Sequence, residues 1–289
     1  MAKATKTAGT KQSSKSRVDL RNYELLDNGC IVVRRQFDNL LEPYKKEAIP
    51  NYLGLVDHKQ AIENEDEYDR MIRKEERELN LQVRRLKQAK KSLVVVFQGR
   101  DGAGKSGATE RIIEALDYDM SIFDAIHVGP PTEDELAHPY LWRFMQCQRM
   151  PEFGQVRVFD RSWAERLLVE PVMGITKGEA LKKSYAEIRA FEWLLCDVET
   201  ILVKFWLDIT KKEQSLRFEK RAKKKPWKIT DSDATARKKW DAYTDAANEM
   251  FHRTSTYCAP WYVLSSEDKY YSRVMVLNTI NQALKEALR

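Results

Sequence analysis

Eight consecutive residues hold the densest chemistry in this chain, Gly99-Arg-Asp-Gly-Ala-Gly-Lys105-Ser106. An apolar run, Leu93 to Phe97, leads directly into them, and a helical pattern, Ala108 to Leu116, follows directly. Strand, glycine-rich turn, Lys-Ser and helix make the layout of a phosphate-binding loop. Gly102 and Gly104 let the backbone curl so that several N–H groups aim at one anion. The positive N-terminal end of the next helix adds to that attraction. Lys105 is placed to reach the outer phosphates and the Ser106 hydroxyl to ligate Mg²⁺. A chance match on a surface loop is the alternative, and the flanking strand and helix weigh against it.

A second constellation is Val156-Arg-Val-Phe-Asp160-Arg161-Ser162-Trp163, a hydrophobic strand ending in an acid. In a parallel sheet the carboxyl ends of adjacent strands face one crevice, which brings Asp160 near the phosphate loop. There its carboxylate is suited to hold Mg²⁺, directly or through water. Arg161 is suited to pair with phosphoryl oxygens. A strand-end Asp that merely caps the following helix is the competing reading. Asp101 sits inside the phosphate loop, where an acid is awkward beside a bound anion unless a cation intervenes. It is a Mg²⁺ ligand or a base toward an incoming phosphate, against the plainer role of a turn-stabilising Asp.

The third feature is basic. Residues 211–228 hold nine Lys or Arg against Glu213 and Glu219. Pro226 and Trp227 interrupt the helical pattern, so a helix, a basic turn and a second helix leave the sheet as a lid over a phosphate site, at about 210–231. A solvated charged face is the ordinary meaning of such a run. Its density suits a polyanionic substrate better than a simple nucleotide, which needs two or three cations.

These groups need a sheet to position them. Strand-like runs lie at 93–98, 123–128, 156–159, 201–207 and 261–264. Helical patterns lie at 105–117, 132–149, 163–170, 177–198, 210–223, 232–252 and 268–288. That alternation predicts an α/β fold, a parallel sheet with helices on both faces. Upstream, residues 59–91 carry an amphipathic helical pattern that runs into the first strand. Residues 18–58 are expected to wrap the surface, giving an N-terminal arm and long helix over 18–91 and a main domain over 92–289. Residues 1–17 are a basic, Ser/Thr/Lys-rich tail with nothing to bury.

The chain of 289 residues is 43% hydrophobic and 33% charged, enough for one large core. Its net charge of +6 is mostly that tail, and the nearly neutral remainder argues against general DNA or RNA binding. No apolar run nears the roughly 20 residues of a membrane span. The N-terminus shows no secretory apolar region. Four scattered cysteines predict reduced thiols in a cytoplasmic protein and no zinc site. His58, His127, His138 and His252 form no ligand cluster.

Taken together, these motifs resemble the polyphosphate kinase type 2 family. The resemblance rests on G-x-D-x-A-G-K at Gly99–Lys105, F-D-R-S-W at Phe159–Trp163 and Val169-Glu-Pro-Val-Met-Gly174. The basic lid, Arg237-Lys-Lys-Trp240-Asp241-Ala-Tyr243 and Ser255–Val263 complete it. It covers about residues 60–288. The family implies a thymidylate-kinase-like, P-loop kinase fold with a helical basic lid. It also implies a Mg²⁺-dependent transfer between inorganic polyphosphate and AMP, ADP or GDP, in a homo-oligomer of two or four subunits. Carried over by motif, Asp101 and Asp160 organise Mg²⁺ and the accepting phosphate, and Lys105 and Arg161 hold phosphates. Arg217, Lys220, Arg221, Lys223, Lys224 and Lys225 line the polyphosphate path.

The chain departs from the family pattern beside the second motif. Ala164 replaces a Tyr, Pro171 an Arg, and Leu167-Leu168 a small pair. The segment Ala137 to Phe144 resembles the branch that phosphorylates AMP. Two other readings remain at this level: an ATP-dependent nucleoside monophosphate kinase, and a polyphosphate-binding protein with a weakened site.

Overall fold

The computed structural model describes residues 22–224 and 237–289. The basic tail, Lys225 and the remainder of the lid turn through residue 231 lie outside the described residues. In chain order, strand β1 (Tyr23–Leu25) and strand β2 (Ile31–Val33) precede helix α1 (Glu65–Leu86). Then come β3 (Ser92–Gly99), α2 (Lys105–Ala115), β4 (Phe123–His127), α3 (Glu133–Leu136), β5 (Val156–Asp160), α4 (Val169–Met173) and α5 (Gly178–Asp197). The chain continues with β6 (Thr200–Asp208), α6 (Lys211–Lys224), α7 (Trp240–Thr254), β7 (Trp261–Ser265) and α8 (Lys269–Ala287).

The strands form one sheet in the order β1-β2-β7-β6-β3-β5-β4. The last five are mutually parallel, as the alternating pattern predicts. Strands β3 and β6 are apolar and buried almost end to end, because helices cover both faces of a parallel sheet. Side chains alternate between two cores. Leu93, Val95 and Phe97 pack on the side of α1, α2 and α8, while Val94, Val96 and Trp206 pack with Trp163, Phe191 and Phe251 of the opposite layer.

Three segments differ from the residue pattern. The segment expected to wrap the surface instead adds β1 and β2, antiparallel, to the β7 edge. Strands of three residues are too short for alternation to register. The expected helix over 132–149 is only the four-residue α3, with a 3₁₀ turn at Tyr140–Phe144. Pro139 intervenes, and proline excludes its preceding residue from helical backbone. Thr132 and Glu135 close a capping box at the start of α3. Likewise 163–170 resolves into a 3₁₀ turn, Trp163–Arg166, followed by α4. Pro171 falls in the first turn of α4, where a missing N–H costs nothing.

No helix among the described residues is long and apolar enough to cross a membrane. The four cysteines are free thiols.

Candidate active site

Register sets the site. Phe97 of β3 lies opposite Asp160 of β5, His127 of β4 is also opposite Asp160, and Asp208 of β6 is opposite Ser265 of β7. The carboxyl ends of five parallel strands therefore open onto one edge, and the phosphate loop leaves β3 at its centre. Gly104 caps α2 in the left-handed region at φ 95°, which frees the N-terminal amides of α2 to face outward.

Lys105 curls over its own loop, its Nζ donating to the carbonyls of Gly99 at 3.1 Å and Arg100 at 3.2 Å. The Ser106 hydroxyl donates to Asp160 Oδ2 at 3.4 Å, and His127 Nδ1 stands 3.6 Å from the same oxygen. Arg161 takes a positive φ of 67°, its N–H donating to the Phe97 carbonyl at 3.0 Å. Left-handed backbone in a non-glycine residue costs on the order of 1–3 kcal/mol and is retained where geometry demands it. Here it turns the guanidinium back across the loop to within 3.7 Å of Asp101 Oδ1. Asp101, the awkward acid of the phosphate loop, is thus paired with the arginine that follows the other strand-end acid.

Asp160 and the Ser106 hydroxyl are oxygen donors facing one another at the rim, and they fit Mg²⁺. That ion prefers one or two carboxylates completed by substrate phosphates and water. Among the described residues no group of three or more His, Cys, Asp or Glu forms a cage for a metal. The Asp101 carboxylate faces Arg161.

Two cavities meet here. A groove of about 1240 Å³ runs past Asp101, Lys105, Ser106, Asp160 and Arg161 and between α6 and the start of α8. Eight Lys or Arg and five carboxylates line it. Lys220, Arg221 and Lys224 contribute from α6, whereas Lys223 is exposed and does not line it. Arg217 lies along the groove but is nearly buried. Its Nε donates to Glu213 at 2.7 Å, Nη1 to the Gly102 carbonyl at 2.9 Å, and Nη2 to the carbonyls of Ser266 at 2.6 Å and Glu267 at 2.8 Å. It staples α6, the phosphate loop and the β7–α8 turn together. Gln214 adds a bond from Nε2 to the Asp101 carbonyl at 2.9 Å.

The second cavity, about 100 Å³, is aromatic. Trp206, Trp240 and Tyr243 form its walls with Leu168, Val169 and Met173, and it shares Asp101, Lys105 and Arg161 with the groove. Burial, then the carboxylates of Asp101 and Glu165, pushes the Tyr243 phenol up to about 12. Burial also raises the Glu165 carboxyl, opposed by Arg161 and Lys105. Arg100 stacks over Trp240 at 3.9 Å, donates through Nε to Asp208 at 3.1 Å and through Nη2 to Thr244 at 2.8 Å. It ties the phosphate loop to the start of α7. Sequence reasoning assigned no role to Arg100, Glu165, Trp240 or Tyr243. The two aromatics stand in the 237–243 motif, and that was the available signal.

The departures at the second motif are accommodated. Ala164 is buried beside Trp163. Arg166 stacks over Tyr140 at 4.1 Å and pairs with Glu170 at 2.7 Å.

Residues 62–289 match the family model for polyphosphate kinase 2. A polyphosphate:AMP phosphotransferase of Pseudomonas syringae pv. tomato is 41% identical over 226 residues, 78% of this chain and 45% of that protein. An ADP-polyphosphate phosphotransferase of Rhizobium meliloti is 37% identical over 199 residues, 68% of this chain and 63% of that protein. The crystal structure of polyphosphate kinase 2 from Arthrobacter aurescens superposes with a TM-score of 0.74 at 29% identity, covering 86% of this chain and 90% of that one. The chain spans about half the length of the AMP phosphotransferases it matches. With the family model covering most of its length and the motif residues gathered at one sheet edge, the chain belongs to the polyphosphate kinase 2 family.

Proposed function

We propose that this chain transfers a phosphoryl group between inorganic polyphosphate and a nucleoside phosphate, with AMP as its acceptor. The observation that carries the reading is the meeting of two unlike cavities at Asp101, Lys105 and Arg161. One is long, open and rich in cations; the other is small and walled by aromatic rings. A polyanionic chain suits the first and a nucleotide base the second, which brings two phosphorylated ends together over one set of charges. AMP is favoured by the names of three relatives that are 41% identical.

In the forward step an acceptor phosphate oxygen attacks the terminal phosphorus of the chain. A P–O bond to the acceptor forms, the bridging P–O bond of the chain breaks, and the shortened chain leaves with that electron pair. Positioning and charge balance supply the catalysis. Lys105 and Arg161 neutralise the transferring group, and Asp101 orients Arg161. Asp160 and Ser106 would hold Mg²⁺, which supplies charge stabilisation at the phosphoryl oxygens when bound. Arg100, Trp240 and Tyr243 orient the acceptor.

The test is transfer from long-chain polyphosphate to AMP, ADP, GMP or GDP with Mg²⁺, products resolved by ion exchange. Lys105→Ala and Asp160→Asn are each expected to cost at least about 10²-fold in kcat. Unchanged turnover in either variant refutes the site assignment. Better turnover with ATP as donor makes the chain an ordinary nucleotide kinase. Polyphosphate binding without product makes it a weakened binding protein.

A further inference from the structure

The groove has two walls, and the basic run in the sequence accounts for only one. Its second wall is the start of α8, where Lys269 and Arg273 stand four residues apart and so share a helix face. Arg273 is seated against the first turn of α2. A Cβ built on Gly107 would lie 3.3 Å from Arg273 Nη2, so the glycine two residues after Lys105 leaves the space that the guanidinium occupies.

The groove's cations are crowded, and the three carboxylates nearest this wall already have partners. Glu213 pairs with Arg217. Glu267 accepts from the Thr210 amide at 2.9 Å and hydroxyl at 2.7 Å. Asp268 caps α8 through the Tyr271 amide at 2.7 Å. Among the described residues neither Lys269 nor Arg273 has a hydrogen bond or ion pair within the chain. Burial, then the neighbouring Arg217 and Arg273, holds the Lys269 ammonium below its ordinary range, with Glu213 opposing. Two cations without a direct partner, set on a rigid helix beside other cations, are arranged for an anion that arrives with the substrate. Helix α8 is rigid because Val274, Val276, Leu277, Ile280 and Leu284 anchor it in the core against α1.

We propose that Lys269 and Arg273 are donor-binding residues, forming the α8 wall that holds phosphates of a long polyphosphate chain beyond the reacting end. The proposal rests on the phosphotransfer reading, because it takes the groove's occupant to be that reaction's donor. Its consequence is a preference for chain length. A short donor such as tripolyphosphate is held mainly by the phosphate loop and Arg161, whereas a long chain also spans the two walls.

The experiment uses the full chain with Lys269→Gln and Arg273→Gln combined, checked for an unchanged melting temperature. Binding of long-chain polyphosphate is measured by calorimetry without nucleotide. The ratio of kcat/KM for long-chain polyphosphate to that for tripolyphosphate is measured with AMP. The expected result is a loss of at least about tenfold in long-chain affinity and in that ratio, carried by donor KM rather than kcat. Lys269→Arg should retain the wild-type ratio. An unchanged ratio, or an equal loss with both donors, overturns the proposal. If the wild type binds long chains through these residues but transfers nothing, the phosphotransfer reading fails while the wall stands. If the wild type transfers and the double variant matches it, the wall alone fails.

Discussion

Lys204→Met is the most informative substitution away from the substrates. Lys204 lies in the centre of β6 with its side chain wholly buried, and its Nζ is 2.6 Å from Glu192 Oε2 and 3.0 Å from the Thr254 carbonyl. Glu192 accepts a further bond at 2.8 Å from Trp163 Nε1. Burial raises the Glu192 carboxyl and lowers the Lys204 ammonium, and each partner opposes that shift by favouring the other's charged form. Methionine keeps the volume but strands the carboxylate, a loss of about 3–5 kcal/mol when one partner of a buried pair is removed. At about 2–4 °C per kcal/mol for a domain of this size, the melting temperature should fall by roughly 6–20 °C.

The pH dependence of that loss has a definite sign. Without Lys204 the folded pKa of Glu192 rises further above its unfolded value of 4.5. The stability of a group shifted upward is present below the unfolded pKa and lost as pH rises through the folded one, so the deficit grows toward neutral pH and shrinks toward acid. Adding Glu192→Gln removes the stranded charge and keeps an acceptor for Trp163, so the double variant should recover at least about half the loss. Calorimetric scans of the three proteins from pH 5 to 8 measure this directly. A single variant within about 1 kcal/mol of wild type at neutral pH refutes the reasoning. So does a double variant no better than the single one. Phosphotransfer should fall with stability, since Trp163 follows Arg161 by two residues and is released when Glu192 is disturbed.

Two further outcomes follow from single contacts. Gly99→Ala would place a Cβ 2.3 Å from the Leu207 carbonyl oxygen and 2.9 Å from its nitrogen at a φ of 147°. It should cost at least about 2 kcal/mol in urea titration, and a loss below about 0.5 would show that the β3–β6 register yields easily. His58 Nε2 lies 3.3 Å from Asp208, which raises the imidazole's pKa above 6.5 against the opposing effect of burial. The stability it adds is full below 6.5 and fades as pH rises through the folded value. The melting temperature of wild type relative to His58→Gln should therefore decline as pH rises above 6.5, and parallel curves would discard the link.

The amino-acid order by itself determined the features whose physics is local. An apolar run, a glycine turn and Lys-Ser specify a phosphate loop because strand, turn and helix N-terminus are neighbours in the chain. Asp160 was legible because an acid ending a buried strand has a fixed direction in a parallel sheet. The β1–β2 hairpin escaped notice because three residues carry no period, and the break at Pro139 was overridden by the surrounding helical pattern. Only the tertiary structure decided which groups meet across sequence distance. It pairs Asp101 with Arg161, buries Lys204 against Glu192, and brings Arg100 onto Trp240. It also turns Arg217, a lysine-run neighbour by sequence, into a staple on three carbonyls, and sets Lys269 and Arg273 opposite α6. A charge in a sequence has a sign but no partner. Whether it binds substrate or holds the fold depends on which donors and acceptors the packed sheet places within about 3 Å of it.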